Sequence, residues 1–198
     1  VQMGVTHDTH TYNAMVGLGH REPGTVGGVM TCPEIICELI CDNIHVPPAA
    51  QKILIAAKSP AGVILVTDCT RGTGMPEGDY PIDNRIITIR DGIARLPDGT
   101  IAGSILTMEC ALKNAMEASG LTLNEAWPMT SLNAARNIGV SSKKGSIEVG
   151  KDADLVFLPV GLAPSAQNLG VPFFEAGREA LGPAYLRHAP GTRRGRQR

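Results

Sequence analysis

At residues 6–15 the chain reads Thr-His-Asp-Thr-His-Thr-Tyr-Asn-Ala-Met, which places two imidazoles and a carboxylate at the end of a short apolar segment. Two later apolar segments also end in polar residues, one at His45 and one at Asp68. The segment before Asp68 is rich in β-branched residues and too short for a helix, as in parallel strands covered on both faces. Strands of this kind, alternating with helices, predict an α/β barrel or a doubly wound sheet, in which ligands bind at the C-terminal ends of the strands.

Helices are expected between and after these strands. Residues 32–41 and 48–58 are candidates for crossover helices. From about residue 104 to residue 119, apolar residues recur at helical spacing, and Gly120 supplies a stop signal. Thr122 followed by Glu125 predicts a capping box that opens two short helical pieces, ending at about residue 138.

Turn-forming residues mark the remaining segments. Residues 71–79 are rich in Gly and Pro and predict an exposed loop, followed by hairpin strands with turns at Asp91-Gly92 and Asp98-Gly99. A further hairpin is expected at residues 145–151, and a strand begins at Ala153. These limits divide the chain into an α/β part (1–140), a β element (141–160) and an irregular tail (161–198).

The composition favours a small-molecule ligand. The 18 basic and 19 acidic residues nearly cancel, so the charge footprint of a general nucleic-acid or membrane-surface binder is missing. The arginines at the C-terminus are weak evidence for a nucleic-acid tail. No apolar run reaches the roughly 20 residues of a membrane span. The cysteines are odd in number and form no CxxC pair, which favours free thiols in a reducing cytoplasm: Cys32, Cys37, Cys41, Cys69 and Cys110.

His7 and His10 are the first candidates for chemistry. They are three residues apart, so on an extended strand they point to opposite faces and at most one of them enters a given pocket. A neutral imidazole is a good ligand for Zn²⁺ or Fe²⁺, and such an ion would activate water for hydrolysis. A packing or surface histidine is the alternative for either residue.

Asp68, Arg21 and the segment 101–104 are further candidates, each with a structural alternative. Asp68 follows an apolar strand, where a barrel would present a general base, although an Asx turn or helix cap is common there. Arg21 lies on a Gly and Pro loop and would suit a phosphate, or else a surface salt bridge. Residues 101–104 lead into the predicted helix, whose amides could face an anion, and Ser104 could equally cap that helix.

Taken in order, these segments resemble the N-acetylglucosamine-6-phosphate deacetylases of the amidohydrolase superfamily. The resemblance covers about residues 4–158, and the return toward a small β domain resembles the family from Lys144 onward. It is carried by Gly4-Val-Thr-His-Asp-Thr-His-Thr-Tyr-Asn-Ala-Met15, Arg21-Glu-Pro-Gly24, Asn43-Ile-His-Val46, Leu65-Val-Thr-Asp68 and Gly103-Ser-Ile-Leu-Thr-Met108. It implies the C-terminal part of a (β/α)₈ barrel with a piece of a small β-sandwich domain.

The resemblance also implies roles for individual residues. His10 would be a metal ligand, with Zn²⁺ the first expectation and Fe²⁺ the second, and Asp68 would be the catalytic acid and base. Arg21 would hold the phosphate of N-acetylglucosamine 6-phosphate. The rest of the sugar phosphate would be bound by Asn13, Ala14, Asp42, Asn43, Ile44, His45, Ile101, Ala102 and Gly103. Products would be glucosamine 6-phosphate and acetate, and family members commonly form homodimers.

The sequence departs from the family in ways that bear on activity. Family members carry an upstream half-barrel with a Glu and a His that ligate the metal, and this sequence reads as if it starts in mid-fold. The alternative is therefore a catalytically incomplete fragment that at most binds a sugar phosphate. A dihydroorotase-like enzyme is a more distant alternative, which the loop Arg21-Glu-Pro-Gly24 disfavours.

Overall fold

A computed structural model describes residues 4–156 of the 198-residue chain. A parallel three-stranded sheet, in the order β1-β2-β3, is formed by His7–Asp8 (β1), Ile36–Ile40 (β2) and Val63–Val66 (β3). Leu39 pairs with Leu65 across β2 and β3, and both side chains are buried. Short apolar strands of this kind are stable when both faces of their sheet are buried, as they are in a parallel sheet that packs against helices. The predicted α/β class is confirmed.

Two helices connect the strands: Gly24–Thr31 (α1) and Pro48–Lys58 (α2). The bounds of α2 match the prediction, since Pro48 suits the first turn of a helix. The buried Lys58 in its last turn donates to the carbonyl oxygens of Val29 and Cys32, at the C-terminal end of α1. The helix predicted at 32–41 is wrong, because β2 occupies that segment and the crossover is α1.

A second, antiparallel sheet follows β3. Its strands are Gly78–Ile82 (β4), Arg85–Arg90 (β5) and Ile93–Arg95 (β6), in sequence order. The predicted turn at Asp91-Gly92 joins β5 to β6, and both residues have positive φ, 51° and 73°. The loop predicted at residues 71–79 ends earlier than expected, because β4 already begins at Gly78.

Helix Met108–Ser119 (α3) ends at Gly120, whose φ of 78° is the left-handed conformation that glycine adopts without penalty. The predicted helix start at residue 104 is wrong. Ser104 is instead held in a bridge to Cys69, and its backbone N–H donates to the carbonyl oxygen of Asp68 at 2.8 Å.

The last helices are short. Leu123–Ala126 (α4) opens with the predicted capping box, in which Thr122 and Glu125 bond each other's side chain and backbone. A 3₁₀ turn at Trp127–Thr130 separates it from Leu132–Asn137 (α5), as Pro128 requires. The prediction of two short helical pieces is confirmed.

Two asparagine side chains fasten these helices to the parallel sheet. Asn114 of α3 donates to the carbonyl oxygen of Cys41 at 2.7 Å. Asn133 of α5 is buried and donates to the carbonyl oxygens of Pro60 and Val63, both at 2.8 Å. The residue after β2 and the start of β3 are therefore hydrogen-bonded to helices that are distant in sequence.

Residues 141–156 contain no strand, so the predicted hairpin at 145–151 does not form. Ile147 and Val149 in this segment are exposed, and an isolated two-stranded hairpin without a packing partner is at best marginally stable. The expected strand beyond residue 156, the tail at 161–198 and residues 1–3 lie outside the described residues. Within residues 4–156, no helix has the length and apolar character to cross a membrane.

Candidate active site

The chain turns sharply where β1 ends. His10, Tyr12 and Ala14 have φ angles of 37°, 79° and 57°, which are left-handed values that non-glycine residues rarely adopt. A hydrogen bond ties the turn to β1, because the buried Thr11 hydroxyl donates to Asp8 at 2.6 Å. Tyr12 reaches α2 and donates to the carbonyl oxygen of Ala50 at 2.8 Å. Such strain persists only where surrounding contacts impose it, and it is frequent at functional sites.

His10 has a ring nitrogen whose surroundings suit a metal ligand. Its Nδ1 is buried and has no hydrogen-bond partner among the described residues. A buried polar atom without a partner is costly, and coordination to a cation would remove that cost. Asn13 lies beside it and donates to the His10 carbonyl oxygen at 3.2 Å.

The described residues do not form a complete metal site. Within residues 4–156, no group of three or more His, Cys, Asp or Glu side chains is arranged to hold a metal ion. A catalytic zinc usually has three protein ligands. The residues in this range therefore fit at most part of such a site, with His10 as the candidate ligand.

His7, in contrast, has both ring nitrogens engaged. Nε2 lies 2.8 Å from Glu38 Oε1, and Nδ1 lies 2.9 Å from the side-chain amide of Asn137. The other oxygen of Glu38 accepts the backbone N–H of His10 at 3.3 Å. Of the two histidines, His10 is thus the one available to a ligand. This agrees with the prediction that at most one of them enters a given pocket.

Sequence reasoning missed Glu38 and Asn137. A signal for Glu38 was present, because it is the one carboxylate inside the apolar strand β2, where charges are rarely placed without a partner. Asn137 gave no such signal, since only the fold brings α5 to His7.

His45 is paired with Asp42 in a largely buried contact. Nδ1 lies 2.5 Å from Asp42 Oδ2, and the two side chains are 9% and 8% exposed. The hydrogen bond to Asp42 raises the pKa of His45 against the opposing effect of burial, and the charge of Asp68 adds to the rise. Burial works against ionisation of Asp42, but hydrogen bonds from the His45 ring and from two backbone N–H groups leave its pKa lowered.

The loop between these partners is strained and anchored. Asn43 has a φ of 63°, a left-handed value that asparagine tolerates better than most residues. Its side-chain oxygen accepts a hydrogen bond at 2.9 Å from the fully buried Gln51 of α2. Gln51 also donates to the carbonyl oxygen of Val46 at 2.7 Å. Asn43 and Ile44 themselves are exposed at the loop tip.

Asp68 stands just beyond β3 with a φ of 47°, and its side chain is exposed. Its carboxylate makes no hydrogen bond within residues 4–156, so the predicted alternative of an Asx turn or helix cap is not what the structure shows. It lines a cavity of about 680 Å³ together with His7 and Glu38. The remaining lining residues are Thr6, Ile64, Leu65, Val66, Thr67, Met108, Thr130, Ala134, Asn137 and Ile138.

The other predicted residues do not line this cavity. Arg21 is exposed on its loop, and none of the ion pairs among residues 4–156 involves it, so the salt-bridge alternative does not form there. Ile101 bridges to Arg95, and Ala102 donates to the carbonyl oxygen of Ala94 at 3.0 Å, which joins this segment to the antiparallel sheet.

Gly103 packs directly against the backbone of Asp68. A Cβ atom built on it would lie 3.0 Å from the Asp68 carbonyl oxygen and 2.9 Å from Thr70 Cγ2. The predicted helix amides are not the feature at residues 101–104, because α3 starts at Met108. Residues 101–104 instead place their own backbone against the end of β3.

Comparisons with known proteins agree with this arrangement. The model of the Amidohydrolase family matches residues 1–173. An N-acetylglucosamine-6-phosphate deacetylase of Bacillus subtilis (strain 168) is 41% identical over 155 residues, which are 78% of this chain and 39% of the relative. A crystal structure of an N-acetylglucosamine-6-phosphate deacetylase from Thermotoga maritima superposes with a TM-score of 0.73 at 32% identity, covering 77% of this chain and 42% of that one.

A shorter relative from Escherichia coli (strain K12) differs in coverage and in name. It is 40% identical over 153 residues, which are 77% of this chain and 91% of the relative, and it is provisionally named an N-acetylgalactosamine-6-phosphate deacetylase. The chain otherwise spans about two fifths of the length of the first relatives it matches. The predicted fold class, part of a (β/α)₈ hydrolase barrel, is confirmed, while the β-sandwich piece and the domain limits stay predictions.

Proposed function

This chain belongs to the amidohydrolase family, and on that basis we propose that it forms the C-terminal part of an N-acetylglucosamine-6-phosphate deacetylase. The reaction is hydrolysis of the acetamide of N-acetylglucosamine 6-phosphate to glucosamine 6-phosphate and acetate. The observation that carries the proposal is the 41% identity over 155 residues to the Bacillus subtilis deacetylase. The partner is a small amino-sugar phosphate, and we propose neither a nucleic-acid nor a membrane partner.

Asp68 is the proposed general acid and base. Its carboxylate accepts a proton from water while the water oxygen attacks the acetamide carbonyl carbon, and it returns that proton to the nitrogen as the C–N bond breaks. The exposed carboxylate at the end of β3, which has no hydrogen-bond partner among residues 4–156, supports this role, because a base that is already hydrogen-bonded would need to release its partner first.

Amidohydrolases generally use a divalent metal, and we propose Zn²⁺ here, with Fe²⁺ as the alternative. When bound, the cation would lower the pKa of water and polarise the scissile carbonyl. His10 is the proposed ligand from this chain, supported by its buried Nδ1, which has no hydrogen-bond partner in the described part of the chain.

The remaining predicted residues are proposed to bind the substrate. Arg21 presents an exposed guanidinium suited to the phosphate, and Asn13 and Ala14 lie in the strained turn beside His10. The sugar would lie against His45 and its loop neighbours Asn43 and Ile44. The backbone of Ile101, Ala102 and Gly103 would complete the pocket.

The galactosamine epimer is a second candidate substrate. It is favoured by the Escherichia coli (strain K12) relative, which this chain covers almost completely. The two sugars differ in the orientation of one hydroxyl, so parallel assays separate them. A fragment that only binds a sugar phosphate is the non-enzymatic alternative.

Acetate release from each sugar phosphate tests the proposal. The assay uses this chain alone and the same chain preceded by the N-terminal portion of the Bacillus subtilis relative that it does not cover. We expect hydrolysis by the extended protein, and a loss of about 10²–10⁴-fold with Asp68→Asn. Asp91→Asn, in the exposed hairpin turn, is the matched control and should retain activity. Inactivity of both forms, with the sugar phosphate still bound, would support the binding alternative.

A cytoplasmic location and a homodimer complete the proposal. The five cysteines are free thiols, which supports a reducing compartment. Sedimentation of the extended protein would test the dimer, and fractionation of expressing cells would test the location.

A further inference from the structure

Asp42 holds His45 through a complete set of contacts. Its Oδ1 accepts the backbone N–H groups of Ile44 and His45 at 2.9 and 2.7 Å, and its Oδ2 binds the His45 ring at Nδ1. A carboxylate can only accept hydrogen bonds, so Nδ1 must carry a proton in this contact. The ring of His45 is therefore fixed in both its position and its proton arrangement.

The opposite ring nitrogen is left open. Within residues 4–156, His45 Nε2 makes no hydrogen bond, and it is not among the fully buried polar atoms without a partner. The loop cannot easily turn the ring away, because Gln51 clamps both Asn43 and Val46 onto α2. Nε2 is thus a nitrogen without a partner among residues 4–156, on a largely buried ring that the loop holds in place.

We propose that Asp42 is a positioning residue that sets what His45 presents to the substrate, and does not itself bind the sugar phosphate. This rests on the proposed function, in which His45 lies against the substrate. With Nδ1 protonated by its contact to Asp42, the neutral ring offers Nε2 as an acceptor and the protonated ring offers it as a donor. The same nitrogen can then exchange a hydrogen bond with a substrate hydroxyl, amide or carbonyl according to the protonation of the ring.

The charges around the ring favour the donor form. Asp42 faces the ring from its own loop, and Asp68 acts on it from the end of β3. The neighbouring Cys41 thiol stays neutral, because burial and the charge of Asp42 raise its pKa to about 12. Both of these charges are negative, and they favour a protonated imidazole against the opposing effect of burial.

Long-range ¹H–¹⁵N NMR of the histidine rings tests the proposal in the full 198-residue chain, with His45→Gln used to assign the signals. We expect neutral His45 to be the Nδ1–H tautomer. In Asp42→Asn, the new amide can donate to Nδ1, so we expect a shift to the Nε2–H tautomer and a lower titration midpoint over a range of about pH 5 to 9. Glu38→Gln, which removes the carboxylate of the other histidine pair, is the control and should leave the His45 signals unchanged.

Two results would overturn the proposal: an Nε2–H tautomer in the unsubstituted chain, or His45 signals that do not change in Asp42→Asn. If Asp42→Asn fails to fold, the tautomer in the unsubstituted chain still decides. Neither readout depends on hydrolysis, so a missing deacetylase activity would contradict the proposed function and leave this assignment standing.

Discussion

The backbone N–H of Ser104 donates to the carbonyl oxygen of Asp68 at 2.8 Å, directly beside the carboxylate proposed for catalysis. The return bond runs from the N–H of Thr70 to the carbonyl oxygen of Ser104, also at 2.8 Å. Asp68 is thereby fixed in its left-handed conformation by a strand-like bridge, while its carboxylate makes no hydrogen bond to the other described residues. The segment after the antiparallel sheet thus supports the end of β3, and substitutions there should act on Asp68 through its backbone.

Gly103→Ala should destabilise the chain more than a glycine substitution in an open position. Both Gly103 (φ 65°) and Gly120 (φ 78°) have left-handed backbones, so alanine strains either by about 1–2 kcal/mol. Only at Gly103 would the new Cβ also press on Asp68 and Thr70, which adds about 1–3 kcal/mol of overpacking. Urea unfolding of the two variants measures the difference. Equal losses would show that the contact seen at Gly103 relaxes without cost.

The Asp42 and His45 pair should make stability depend on pH in a defined window. The raised pKa of His45 contributes stability that is fully present below its ordinary value of 6.5 and is lost as pH rises through the folded-state pKa. The lowered pKa of Asp42 contributes stability present above its ordinary value of 3.8 and lost as pH falls through the folded-state pKa. The pair therefore stabilises most between 3.8 and 6.5.

Urea unfolding of the chain and of Asp42→Asn at several pH values measures this effect. The free energy of unfolding should differ by about 1–3 kcal/mol inside the window, as for hydrogen bonds to charged groups, and the difference should shrink on both sides. A difference that does not vary with pH would contradict the prediction.

Glu38→Ala should lower the free energy of unfolding by about 1–3 kcal/mol, because His7 and the N–H of His10 both lose a partly buried acceptor. Glu38→Gln keeps a side-chain oxygen for one of these donors and should cost less. Denaturant midpoints of the two variants provide the comparison. If Gln is no better than Ala, the negative charge and not the hydrogen bonding is what Glu38 contributes.

Local sequence signals predicted much of the fold. Pro48 and Gly120 marked helix ends, and the apolar run before Asp68 predicted a buried strand, because these signals act within a few residues. The helix α1 was missed, since its Gly, Thr and Val residues are poor helix formers and the packing of Val26 and Val29 stabilises it. The start of α3 was misplaced because Ser104 is bonded to the end of β3, a contact that no local pattern encodes.

In the candidate site too, residues marked by local signals were predicted and long-range contacts were not. Strand ends identified Asp68, His45 and the turn at His10, and the structure places each of them where a strand of the parallel sheet ends. The contacts of Glu38 with His7 and with the backbone N–H of His10, and the contact of Asn137 with His7, could not be predicted, because each joins segments that only the folded chain brings together.

The asparagine contacts between helices and sheet have a consequence for how this chain tolerates mutation. Asn114 and Asn133 bond to the main-chain carbonyl oxygens of Cys41, Pro60 and Val63, and every amino acid carries such an oxygen. Substitution at those three positions leaves the acceptor in place as long as the backbone keeps its course. Substitution of Asn114 or Asn133 removes the donor, so each bond depends on the identity of the side chain at its helix end and on the backbone course alone at its other end.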